Sequence, residues 1–131
     1  MDRDHRTSVT ATNAPRPTGT YSHAIVAGGF LFTAGQGPLD PVTGSIVGGD
    51  ITEQTTATLT NIDAILQAAG ASLEDVIKTT VHLANLDDFA KFDEAYRNFF
   101  TDPAPARTTV QSGLPGIAVE IDVIAKLPEA S

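Results

Sequence analysis

Two segments of this chain repeat apolar residues at three- and four-residue intervals on one side only, and a helix built that way must lay its stripe against another layer. Leu59, Ile62, Ile65, Leu66 and Ala69 form the first stripe; Phe89, Phe92, Tyr96, Phe99 and Phe100, with Ala95 between them, form the second. The first helix is expected to begin at Asp50, where Asp50-Ile-Thr-Glu53 has capping-box spacing, and to stop at Gly70. Its other side, Thr60, Asn61, Asp63 and Gln67, is expected to face solvent. The second helix is expected from Asp87 and is ended by Pro103 and Pro105, which exclude helical backbone at and before themselves.

The layer those stripes need is supplied by extended segments. His23–Ala27 and Phe30–Ala34 flank Gly28-Gly29, a two-residue turn that signals a hairpin. Val76–Leu83 alternates Ile77, Thr79, Val81 and Leu83 with Lys78, Thr80 and His82, which reads as a third long strand. Thr7–Thr12 is β-prone and suits a short edge strand, while residues 1–6 are expected to be loose. Two more strands follow the prolines, one from Ala106 and one over Val119–Lys126. The economical packing is an α+β single domain over residues 1–131: a mainly antiparallel sheet with two helices on one face. The second sheet face would carry Lys78, Thr80, His82, Thr109 and Glu120, a half-polar surface that suits water or another subunit.

Charge removes several classes of function. The 131-residue, 13.7 kDa chain has a formal charge of -8 and only 8 Lys plus Arg, without a basic cluster, so it is ill suited to phosphate backbones or anionic lipid. It has no cysteine, hence no disulfide and no thiolate metal site. His5, His23 and His82 lack ligand spacing, and no metal is expected. No apolar run approaches the roughly 18 residues of a membrane span, and the charged start Met1–Arg6 has no hydrophobic stretch behind it. A soluble, cytoplasmic protein is the expectation. A Gly-x-Ser-x-Gly elbow, a P-loop and a dinucleotide fingerprint are all missing, which is consistent with chemistry that needs no strongly activated nucleophile.

The residue that asks for explanation is Arg107, set at the start of a strand behind two prolines. Alternation puts Arg107, Thr109 and Gln111 on one side, and a guanidinium there offers a planar fork that matches a carboxylate. A lone arginine of this kind ordinarily makes a surface or structural ion pair. Glu120 is the acidic counterpart. If the last two strands pair as a hairpin about Leu114-Pro-Gly116, Glu120 falls near Thr109 or Gln111 on the side of Arg107, offset by roughly 7 to 13 Å, too far for an easy salt bridge. The two groups could then hold opposite ends of a small substrate.

Taken together, Ala14-Pro-Arg-Pro-Thr-Gly-Thr-Tyr-Ser22, Gly35-Gln36, Asp40-Pro-Val-Thr-Gly44, Ile77-Lys-Thr-Thr-Val-His-Leu83, Asp88-Phe89, Pro105-Ala-Arg-Thr-Thr109 and Val119-Glu-Ile-Asp122 resemble the reactive intermediate deaminases, the RidA or YjgF-like proteins. The resemblance runs through nearly all of the chain after residue 12. It implies a chorismate-mutase-like fold, a homotrimeric barrel with active sites at the subunit interfaces, and cofactor-independent hydrolysis of enamines and imines such as 2-aminoacrylate to a 2-oxo acid and ammonia. By the same resemblance Arg107 clamps the substrate carboxylate, Tyr21 lines the pocket, Glu120 handles the hydrolytic water and Gly35 flanks the site.

Three positions depart from the family pattern. Ala34 stands where serine is frequent, Thr109 where cysteine is frequent and Asp87 where asparagine is common. The hydroxyl missing at Ala34 supports a second reading, a binding or sensing protein for 2-oxo or amino acids without efficient catalysis. A third, an endoribonuclease or translation inhibitor, is opposed by the acidic balance.

Overall fold

A computed structural model describes residues 5–129; the expectation of a loose start falls, for residues 1–4, outside the described residues. Gly28 and Gly29 adopt φ of 60° and 82°, the left-handed pair that a two-residue hairpin turn requires, and they join β2 (Ala24–Ala27) to β3 (Phe30–Thr33) with Ala27 opposite Phe30. Outside β2 lies the short edge strand β1 (Thr7–Val9), paired antiparallel with it. The chain then runs through α1 (Ile51–Ala68), β4 (Val76–Leu83), α2 (Phe89–Arg97), β5 (Ala106–Gln111) and β6 (Val119–Lys126). The sheet order is β1-β2-β3-β6-β4-β5, antiparallel at every pairing except β4 with β5.

That order corrects the expected final hairpin. β5 and β6 do not pair, because β4 lies between them. β4 and β6 are eight residues each and share an inward row of Thr79, Val81 and Leu83 against Val123, Ile121 and Val119, all at most 1% exposed, so pairing them in the centre buries the most apolar surface. β5 is shorter and leaves Ala106, Thr108 and Val110 exposed, which suits an edge. Reaching that edge parallel to β4 takes a crossover, and α2 is the crossover element.

The register has a consequence for the site. Thr79 is opposite Arg107 on one side and Val123 on the other, while His82 is opposite Glu120. Residues level with one another point to the same face, so Arg107 and Thr109 share the helix-covered face and Glu120 shares the open face with His82. A second correction concerns Ile77. The ladder shifts between Val76 and Lys78, making Ile77 the extra residue of a bulge, and it is 46% exposed rather than inward.

Both helices cover the inward face as expected. Asp50 caps α1 by accepting from the Glu53 amide at 2.9 Å, although the reciprocal half of a capping box is not made among the described residues. At the other end Gly70 (φ 77°) and Ala71 donate to Gln67 and Leu66 carbonyls, the paired bonds of a Schellman stop. Leu59, Ile62, Ile65 and Leu66 are fully buried. On α2 the buried residues are Phe92, Ala95 and Tyr96, with the Tyr96 hydroxyl 2.8 Å from that of Thr79. The helix ends at Arg97, so Phe99 and Phe100 complete the stripe from the following turn.

Asn61 is not on a solvent face. It is 3% exposed and its Nδ2 donates to the carbonyls of Gly37 (3.0 Å) and Leu39 (2.9 Å), pinning the loop after β3 to α1. Periodicity missed this because it sorts residues by polarity, whereas a buried loop needs a polar donor. Among the described residues no helix is long and apolar enough to cross a membrane. Asn61→Ala should lower unfolding stability by about 1–3 kcal/mol through two unpaired carbonyls, seen as a reduced urea midpoint at unchanged slope; a loss below about 0.5 kcal/mol would show that water replaces the amide at no cost.

Candidate active site

The seven residues singled out from the sequence fall into two groups. Tyr21, Ala34, Gly35 and Glu120 line one open cleft of about 280 Å³, and an adjoining cavity of similar volume shares Tyr21, Gly35 and Glu120 and adds Arg16, Gln36 and Ile117 among its walls. Arg107, Thr109 and Asp87 are absent from both linings.

The first group is assembled by the end of β3. Ala34 donates to the His23 carbonyl at 2.9 Å, and Gln36 and Ile121 exchange backbone bonds of 2.8 and 2.9 Å, which clamps Gly35 beside β6. Glu120 lies across Gly35: a Cβ at this position would sit 2.8 Å from Oε2, 2.9 Å from Cδ and 3.1 Å from Cγ. The glycine is therefore a condition for the carboxylate's placement. Tyr21 closes the cleft from the proline-rich loop, where its hydroxyl accepts from the Thr18 amide at 3.1 Å and its ring is half exposed. Arg16 in the same loop brings a cation to the Glu120 side of the molecule; sequence reasoning did not select it, though its closeness to Tyr21 in the chain was a usable signal.

The second group sits around the edge strand. Arg107 Nη1 donates to Asp93 Oδ1 at 2.8 Å, and the guanidinium carbon lies 4.7, 5.3 and 5.6 Å from the ring centroids of Tyr96, Phe89 and Phe92. The ion pair within the chain is the ordinary role for a lone arginine. Its side chain is nonetheless 21% exposed, and Nε and Nη2 donate no hydrogen bond within 3.5 Å among the described residues, although the guanidinium also lies close to the Tyr96 hydroxyl. Thr109 follows on the same face, and Asp87 occupies the short 3-10 turn Leu86–Asp88, which is tied to the end of β5 by the Leu86 amide bonded to Gln111 Oε1 at 3.1 Å.

Asp93 was not foreseen. It lies on the exposed-looking side of an aromatic helix, and only the crossover geometry brings it under Arg107. Its other oxygen accepts from Arg97 Nη2 at 3.1 Å. The hydrogen bond from Arg107 holds the Asp93 carboxyl below the ordinary range against the opposing effect of burial, with the charges of both arginines adding to the lowering. On the open face, His82 Nδ1 is 2.7 Å from Ser112 Oγ and its Nε2 is 4.0 Å from Asp122, whose carboxyl is pushed up by burial. Among the described residues no group of three His, Cys, Asp or Glu could hold a metal.

The family model described as endoribonuclease L-PSP matches residues 11–127. The chain belongs to this RidA/YjgF-like family. A RutC family protein of Pyrococcus horikoshii is 56% identical over 86% of this chain and 91% of its own length. Among solved structures, RidA of the Antarctic bacterium Psychrobacter superposes with a TM-score of 0.88 at 37% identity, covering 92% of this chain and 99% of that one. E. coli TdcF, crystallised with bound serine, gives 0.87 at 37% identity over 93% and 99%. The six-stranded sheet with two helices is thus the RidA/YjgF-like fold, and the Arg107–Asp93 pair and the Glu120–Gly35 contact are two features of this member's surface.

Because the Asp93 carboxyl is depressed in the folded state, its pairing adds stability above the unfolded carboxylate pKa and loses it as pH falls through the lower folded value. Asp93→Asn should therefore trail wild type in urea midpoint at neutral pH, with the gap narrowing from about pH 5 to about pH 3. A gap independent of pH would show that the charge at Asp93 adds nothing.

Proposed function

We propose that this protein is a cofactor-independent deaminase that hydrolyses enamine and imine intermediates of the 2-aminoacrylate type to 2-oxo acids and ammonia. The observation that carries the reading is the carboxylate of Glu120 laid across Gly35 in an open cleft beside Tyr21. The substrate's carboxylate goes to Arg107. Since Arg107 and Glu120 occupy opposite faces of one sheet, the site is completed between subunits: the edge strand β5 of one copy faces the Tyr21–Gly35–Glu120 cleft of its neighbour, three times in a homotrimer. The half-polar open face, with Phe32 43% exposed near Ile124, suits burial in such an assembly.

The chemistry needs little from the protein. A protonated imine carbon is electrophilic; water adds its oxygen to that carbon while the C=N electrons move to nitrogen, giving a carbinolamine. An enamine reaches the protonated-imine state by taking a proton from solvent at its methylene carbon. Glu120 takes the proton lost by the water and returns it to the amine; as the C–N bond breaks and ammonia leaves, the carbinolamine hydroxyl gives its own proton to the freed Glu120 carboxylate, which passes it to the ammonia to leave ammonium and the 2-oxo acid. Arg107 holds the far end so that the carbon meets the water in a fixed geometry. Thr109 and Asp87 shape the arginine side of the slot, and Ala34 with Tyr21 the glutamate side.

A binding or sensing role is favoured by two observations: TdcF carries serine in its crystal structure, and Ala34 offers no hydroxyl to the cleft. The two readings part on turnover. Ammonia release from freshly generated 2-aminoacrylate should be catalysed by wild type and fall at least about 100-fold in kcat/KM in Arg107→Ala, the cost of removing a charge-assisted clamp. Equal rates in the two proteins would take Arg107 out of the reaction, and pyruvate binding without ammonia release would assign a sensor.

A further inference from the structure

The orientation of Arg107 has a visible cause. Three aromatic rings of α2 surround the guanidinium carbon at 4.7–5.6 Å, an apolar bed that attracts a cation but does not fix how it rotates. Asp93 supplies the fixed point. One of its oxygens takes Nη1 of Arg107 at 2.8 Å, and the other takes Nη2 of Arg97 at 3.1 Å, so the carboxylate is held at both ends.

A guanidinium has two edges able to meet a carboxylate with parallel hydrogen bonds, one through Nη1 and Nη2 and one through Nε and Nη2. With Nη1 on Asp93 the first edge is engaged. The second makes no hydrogen bond within 3.5 Å among the described residues, although the guanidinium lies near enough to the Tyr96 hydroxyl to favour its ionised form, and the side chain is 21% exposed.

We infer that Asp93 is a positioning residue: by occupying Nη1 it turns the Nε–Nη2 edge of Arg107 outward as the docking edge for one substrate carboxylate. This rests on the carboxylate-clamp role proposed for Arg107, and goes beyond it by assigning which edge docks and what selects it. Arg97, far more exposed, keeps Asp93 from swinging away and is itself too peripheral to touch the substrate.

The test separates position from charge and from mere stability. Asp93→Ala removes the fixed point, whereas Asp93→Asn keeps an oxygen acceptor for Nη1 and drops the charge. With 2-aminoacrylate as substrate, Asp93→Ala should raise KM about tenfold with kcat within about twofold, and Asp93→Asn should stay within about threefold of wild type in both. Calorimetric titration with pyruvate should show the same pattern in Kd. Should Asp93→Ala fail to fold, Asp93→Leu, similar in size and without an acceptor, takes its place. Equal KM and Kd in all variants would overturn the inference, as would equal impairment of the alanine and asparagine variants, which would make charge the active ingredient. A wild type that binds pyruvate but releases no ammonia, with binding weakened only in Asp93→Ala, would sink the deaminase reading and leave the role of Asp93 standing. A wild type that neither binds nor turns over would remove both.

Discussion

The pleat of the sheet decides which side chains can meet at this site. Side chains alternate between faces along a strand and agree in face across a ladder, so the insertion of β4 between β5 and β6 fixes Arg107 on the helix side and Glu120 on the open side. No rotamer change brings a cation on one face of a β-sheet to an anion on the other. In the proposed site the two are therefore drawn from different copies of the chain.

Each half of the proposed site is held by a different kind of force. The glutamate half relies on close approach: Gly35 is fixed by the Gln36–Ile121 backbone pair and has no side chain, so the Glu120 carboxylate can lie against the main chain. The arginine half relies on electrostatics in a partly desolvated setting, with aromatic faces below the guanidinium and one carboxylate at its end. The helices thus do more than cover the sheet. α1 pins the loop behind Gly35 through Asn61, and α2 carries the bed on which Arg107 rests.

Much of the fold was legible from local rules. The Gly28-Gly29 hairpin, the Asp50 cap, the Gly70 stop and the two apolar stripes depend on near neighbours in sequence, where periodicity and turn chemistry act directly. What escaped was non-local. Leu114-Pro-Gly116 has turn composition, and nothing in its residues says that the flanking strands are separated by β4; that depends on the pairing of two eight-residue strands whose apolar rows match. The faces of Arg107 and Glu120 followed that error, as did the oversight of Asp93, which becomes an arginine partner only through the crossover. Asn61 and Ile77 were misplaced for a related reason: a loop carbonyl and a bulge each override a simple pattern.

The proposed shared site requires one catalytic unit to draw its arginine and its glutamate from different chains. Neither Arg107→Ala nor Glu120→Gln protein should release ammonia at an appreciable rate alone. Co-refolded in equal amounts, they should recover about a quarter of wild-type activity, since one half of the neighbours supply an intact arginine and one half an intact glutamate. Mixed assemblies that form and yet remain as inactive as the parent variants would contradict the shared site.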